Sequence, residues 1–284
     1  MHDDDLPVGR ILSRRRALAL LGAAGATAAV GGTVFATSSA SAEESTAAAD
    51  VVAKPEMTEG PYYVDEGLKR SDIRTDTSDG TAVDGTRLDL ALIVSRIAGK
   101  TVTPLPDATV DIWHCDASGI YSDIASEGTE GHDFLRGYQV TNSGGLVRFT
   151  TVLPGWYQGR TVHIHVKVQT TGTDGNAYEF TSQLYLPEDF KTAYLATDPY
   201  AAKGTPDTTN DSDMHYADIG DQMLLQPTRN GDGYKATFRI GLDLSDTAVA
   251  ADDSFSQGGG PGPGGGGTPP DGPPPSGSPT PPAA

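Results

Sequence analysis

Between Val52 and about Leu244 the apolar residues fall in short runs with a period of two. Leu88, Leu90, Leu92 and Val94 alternate, as do Val110 and Ile112, then Val147 and Phe149. Further along come Phe180, Ser182, Leu184 and Leu186, and finally Tyr234, Ala236, Phe238, Ile240 and Leu242. A period of two sends successive side chains to opposite faces of an extended strand, so each run predicts a strand with one face toward a core. Gly, Asp, Asn and Pro punctuate the runs. The pattern predicts an all-β domain over residues 52–250, a β-sandwich of mostly antiparallel strands with long loops and little helix. One short helix is expected to start near Pro187-Glu188-Asp189-Phe190 and to end before Asp198-Pro199-Tyr200. From Ala201 to Tyr216 the chain is polar, with Gly204, Pro206, Asn210 and repeated Asp, and reads as a solvated surface loop carrying His215. Its acidic residues match no compact calcium-loop spacing.

The two ends depart from this pattern. Ser13-Arg14-Arg15-Arg16 precedes an alanine-rich apolar run from Ala17 to Ala36, and Ala40-Ser41-Ala42 offers small residues for cleavage before Glu43. Twin arginines and a glycine-interrupted run read as a twin-arginine signal peptide over 1–42, which makes the mature product secreted, with no stable membrane insertion after removal. The alternative, a permanently inserted helix, is opposed by the scarcity of Leu and Ile in the run. Residues 43–51 read as a short lead. Residues 257–284 collapse to Gly, Pro, Ser and Thr with one charge, Asp271, and read as a disordered tail that cannot bury apolar surface.

The whole chain carries a formal charge of −18. Such a balance argues against nucleic acid and anionic membrane as partners. Cys115 is the single cysteine, so no intrachain disulfide exists, and a buried packing role fits it better than nucleophilic catalysis.

The segment Arg160-Thr161-Val162-His163-Ile164-His165-Val166 follows Pro154-Gly155-Trp156-Tyr157. On a strand, His163 and His165 share one face while Val162, Ile164, Val166 and Val168 share the other, so one face packs and the other is able to hold a metal. Tyr121 sits at a turn in Trp113-His114-Cys115-Asp116-Ala117-Ser118-Gly119-Ile120-Tyr121. His114 falls on the face of Val110 and Ile112, which gives it a core or supporting role rather than ligation. His132 lacks matched flanking sequence.

These segments, together with Thr58-Glu59-Gly60-Pro61-Tyr62-Tyr63 and Pro106-Asp107-Ala108, occur in one order over about residues 52–245. In that order they resemble the intradiol ring-cleavage dioxygenases, the family of the catechol, hydroxyquinol and protocatechuate enzymes. The resemblance implies one non-haem Fe(III) per chain, held by Tyr121, Tyr157, His163 and His165. Hard ferric iron suits phenolate oxygen and accepts imidazole, and two tyrosinates reduce its charge to about +1. It further implies that a small aromatic diol and O2 are the substrates, and that the ring opens between the two hydroxylated carbons to a cis,cis-muconic acid. Tyr157 would be the axial ligand that the diol displaces, taking a proton as it leaves. Arg160 would face the ring with a fixed positive charge, Gln183 would line the site, and Gly60, Pro61 and Tyr62 would shape the pocket.

The helical N-terminal segment that makes the dimer in catechol-type members has no counterpart here, so monomer and dimer both stay open. The competing reading is a non-catalytic exported β-sandwich binding module, which has no need of the two Tyr and two His. A cupin-type Fe(II) oxygenase expects a carboxylate soon after the second histidine, and none lies between Val166 and Gly172. A zinc hydrolase lacks a third ligand near the pair. Export would bring the protein to plant-derived or lignin-derived diphenols.

Overall fold

The computed structural model describes residues 52–246. The expected signal peptide, the lead, the Gly/Pro-rich tail and the last residues of the expected domain lie outside the described residues. Among the described residues nine strands form two sheets. The first contains β1 (Arg87–Ala98), β2 (Thr101–Pro104), β5 (Leu146–Val152), β8 (Thr228–Asn230) and β9 (Gly233–Leu242). The second has the order β4 (Arg136–Val140), β3 (Thr109–Trp113), β6 (His163–Thr171), β7 (Ala177–Tyr185). Within the named sheets every pairing is antiparallel except one: β9 lies parallel to β1, with Leu88 opposite Tyr234 and Arg96 opposite Leu242.

The expected alternation accounts for the core. Leu88, Leu90, Leu92 and Val94 of β1, Val147 and Phe149 of β5, and Ala236, Phe238, Ile240 and Leu242 of β9 are buried, while Tyr234 is only partly so. They meet Val110 and Ile112 of β3, Ile164, Val166 and Val168 of β6, and Phe180 and Leu184 of β7. Each such side chain contributes about 1.5–3 kcal/mol by leaving water, which is why the two faces stay together. His114, one residue beyond β3, joins this side. It lies fully buried, 2.7 Å through Nε2 from the Thr151 hydroxyl and 2.8 Å through Nδ1 from the Cys115 carbonyl. Cys115 is buried as well, and burial pushes its thiol well above the usual range, so it packs rather than reacts.

The expected helix forms as α1 (Glu188–Leu195). The segment after it differs from expectation. Instead of a solvated loop, 200–223 is a succession of short helical turns, with Thr208, Asn210, Asp213 and His215 buried. His215, expected in solvent, is 4% exposed. The reason is that the second sheet is covered on its outer face too: β6 is buried on both sides from His163 to Val168.

Candidate metal centre and active site

The register of the second sheet lays the site out. Trp113 of β3 stands opposite His165 of β6, and His165 opposite Gln183 of β7. All three project away from the core. Trp113 stacks flat on the His165 imidazole, centroids 4.7 Å apart and 8° between planes, which fixes that ring's tilt. An extended segment from Pro55 to Thr58 runs along β7, with Met57 N donating to Thr181 O and Ser182 Oγ to Pro55 O. It delivers Gly60 against His165: a β-carbon at Gly60 would lie 3.6 Å from His165 Cε1, and Gly60 has a φ of +73°. Lys167 anchors the same segment through a buried ion pair with Glu59, and its ammonium lies 4.0 Å from the Tyr63 ring centroid.

The two tyrosines come from loops locked to each other. The turn at 116–121 is held by Asp116, whose Oδ1 accepts from Ser118 N and Ile120 N, and Gly155 N donates to Asp116 O at 2.9 Å. Gly119, with φ +79°, is pressed on the Trp156 carbonyl. So the loop bearing Tyr121 and the loop bearing Tyr157 are locked backbone to backbone at Asp116–Gly155 and at Gly119–Trp156.

Four rings then face one point. The Nε2 atoms of His163 and His165 are 3.1 Å apart, and the Tyr157 hydroxyl is 3.3 Å from His163 Nε2. The Tyr121 ring lies 5.8 Å from Tyr157 and 6.2 Å from His165. His163 Nδ1 is 2.7 Å from the Thr161 carbonyl, an acceptor only, so its proton sits on Nδ1 and Nε2 presents a lone pair. Two nitrogens bound to one metal at about 2.1 Å and a right angle are about 3.0 Å apart, so the observed 3.1 Å fits two neighbouring ligands of one ion. Among the described residues the Tyr121 hydroxyl is buried beside the Tyr157 phenol without a hydrogen bond of sound geometry, an arrangement that costs a phenol stability unless a metal uses its oxygen.

Electrostatics agree. Burial, then His163 and Arg160, hold His165 well below the usual histidine range, so it stays neutral and able to ligate. Burial, then the Tyr157 phenol, pushes Tyr121 well above the tyrosine range; only a cation in contact would make it a phenolate at neutral pH. Tyr121 is 1% exposed, whereas Tyr157 is half-buried at the mouth. Among the described residues no three His, Cys, Asp or Glu side chains gather around one point, which leaves tyrosine oxygen to complete a set with the histidine pair.

The remaining expected residues fall in the same place. Tyr62 stacks on Tyr121, centroids 4.5 Å apart, and meets Tyr157 edge-on at 5.8 Å. Pro61 is exposed beside it. Arg160 is 5% exposed; its Nη2 donates to Gln183 Oε1, and its Nε donates to Asp213 Oδ2 at 2.9 Å. Asp213 was not picked out in the sequence. The available signal was Arg160 itself, since a buried guanidinium requires a carboxylate, and the segment read as solvent-facing supplied it. Burial opposes ionisation of Asp213, but Arg160 and the backbone N–H groups of Thr161 and Tyr216 outweigh it and hold the carboxyl below the usual range. His132 stays outside the site, 2.9 Å from Asp76.

A family model described as Dioxygenase matches residues 58–227, from the segment that carries Gly60 to beyond Asp213. The chain belongs to the intradiol ring-cleavage dioxygenase family. Catechol 1,2-dioxygenase of Acinetobacter baylyi is 34% identical over 105 residues, covering 37% of this chain and 32% of that enzyme. Chlorocatechol 1,2-dioxygenase of Cupriavidus pinatubonensis is 30% identical over 153 residues, covering 45% of this chain and 52% of that enzyme. The chain thus spans about a third to a half of the length of these curated family members. Among solved structures, an intradiol ring-cleavage dioxygenase from Tetranychus urticae superposes with a TM-score of 0.57 at 28% identity, over 68% of this chain and 95% of that one. In this family member the two tyrosines and two histidines expected from the sequence are brought together.

Proposed function

We propose that the protein is a non-haem iron dioxygenase that opens catechol-type rings between the two hydroxylated carbons, giving cis,cis-muconic acids. The observation that carries this is the convergence of Tyr157 Oη, His163 Nε2 and His165 Nε2, with the buried phenol of Tyr121, on one point of a family fold. Tyr121, Tyr157, His163 and His165 would hold Fe(III), which would supply the Lewis acidity that prepares the diol for reaction with O2.

The rest is the work of the chain. Tyr121, encased by Tyr62 and His165, keeps its place. Tyr157, half-buried at the mouth, would take one diol proton on its phenolate oxygen. Arg160, always charged, faces the electron-rich ring and steadies negative charge there, while Gln183 holds the guanidinium from the other side. Gly60 leaves room beside His165, and Tyr62 and Pro61 wall the opening. A twin-arginine signal and secretion would place this activity on plant-derived or lignin-derived diphenols outside the cytoplasm.

The test is the visible spectrum of the purified iron-loaded protein, before and after anaerobic catechol and then air. A tyrosinate-to-iron band that shifts with catechol, followed by muconate, is expected. A protein that stays colourless with ferric or ferrous iron would leave the non-catalytic sandwich as the better reading.

A further inference from the structure

We infer that Asp213 is a positioning residue for ring cleavage, acting through Arg160. This rests on the reading of the site as a ring-cleaving one. Asp213 is 1% exposed and lies 53 residues from Arg160 in sequence. Its two oxygens do separate jobs. Oδ2 accepts from Arg160 Nε at 2.9 Å and from Thr161 N at 2.8 Å, so one atom joins the guanidinium to the backbone just ahead of β6. Oδ1 accepts from His215 N at 2.9 Å and Tyr216 N at 3.0 Å, which fixes the carboxylate in its own turn. Because Thr161 O in turn holds His163 Nδ1, the same anchor registers the guanidinium against a metal-facing imidazole.

Gln183 completes the clamp. Its Oε1 accepts from Arg160 Nη2 and from the Tyr185 hydroxyl, and it stands opposite His165 across β6 and β7. The guanidinium is therefore gripped at Nε by a charge and at Nη2 by an amide. A flexible arginine without the first grip keeps its charge but loses its aim, and a displacement of about 1 Å at a reacting centre is worth up to about a hundredfold in rate. Thr161 Oγ1 and Asn210 Oδ1 also share the buried Lys191 ammonium, so the 208–213 segment has a second tie to the backbone ahead of β6 that does not pass through Asp213.

The experiment is a double-mutant cycle on the iron-loaded full chain with Asp213→Asn, Arg160→Ala and both together. Catechol turnover and the affinity for 4-nitrocatechol, read from the shift of the charge-transfer band, are measured for each. The expected result is iron content and resting band as in the parent, kcat lower by about 10- to 100-fold for Asp213→Asn with KM changed much less, and under threefold further loss when Asp213→Asn is added to Arg160→Ala. Equal losses in both backgrounds would make Asp213 a structural residue only, and an unchanged kcat for the single variant would overturn the proposal outright. Should Asn at 213 release iron, Asp213→Glu enters the same cycle, keeping the charge while displacing it. A parent that binds 4-nitrocatechol yet cleaves no catechol would refute the proposed reaction; the cycle in affinity then still decides whether Asp213 acts through Arg160.

Discussion

Gly119→Ala is the sharpest perturbation of the site that touches no ligand. The added β-carbon would stand 2.0 Å from the Trp156 carbonyl oxygen and 2.9 Å from its carbon, where 3.0 Å is already closer than real β-carbons come. The obstacle is backbone, so at least about 1 Å of movement falls on Trp156, the residue before Tyr157, or on the turn leading to Tyr121. The φ of +79° adds the penalty of a left-handed alanine, about 1 kcal/mol, to an overpacking cost of about 1–3 kcal/mol. A loss of about 2–4 kcal/mol in urea unfolding is expected, with a shifted or weakened tyrosinate band and turnover down by about a hundredfold. Gly99→Ala is the control: φ is +60° but nothing lies within 4 Å, so about 1 kcal/mol and an unchanged spectrum are expected. If the two variants are indistinguishable in midpoint and spectrum, the coupling of the two tyrosine loops through this contact is wrong.

Three other outcomes follow from the geometry. His163→Ala and Tyr121→Phe should each lose most bound iron, measured by metal analysis, while circular dichroism stays that of the parent; full retention of iron would strike that residue from the ligand set. Lys167→Met strands Glu59, 3% exposed, as an unpaired buried charge and should cost about 3–5 kcal/mol, much of it recovered when Glu59→Gln is added; urea midpoints of the single and double variants decide. His114, held at about 4 by burial, stays neutral in the fold while the unfolded chain takes up a proton near 6.5. Its contribution is therefore complete above pH 6.5 and falls away as pH drops toward 4, by about 3 kcal/mol; a His114→Gln variant with the same pH slope as the parent would refute this.

The fold was legible because alternation with period two and the turn residues act locally. Leu88 to Val94 or Phe180 to Leu186 need only their own spacing to declare which face is inward. The meeting of the two histidines and two tyrosines was legible for a different reason, since His163 and His165 share a strand face and the tyrosines lie in short segments of family type. What escaped was long-range. The outward face of β6 announces its histidines but not the segments that cover them, and polar residues such as Asp213, Asn210 and His215 look like loop composition until their partners are placed. A buried polar residue and a solvated one have the same letter.

The parallel contact of β9 with β1 sets an order of events in the making of the chain. All four proposed ligands are synthesised by residue 165, yet β1, flanked by β2 and β5 on one side, has its other edge open until residues 233–242 exist. A nascent chain paused between residues 165 and 233 displays all four proposed donors beside an unzipped sheet edge, the kind of surface that recruits other strands. With that ligand set, iron offered during synthesis would meet its donors before it meets a finished protein, and a stop codon between His165 and Gly233 yields a chain with its proposed donors written and its wall missing.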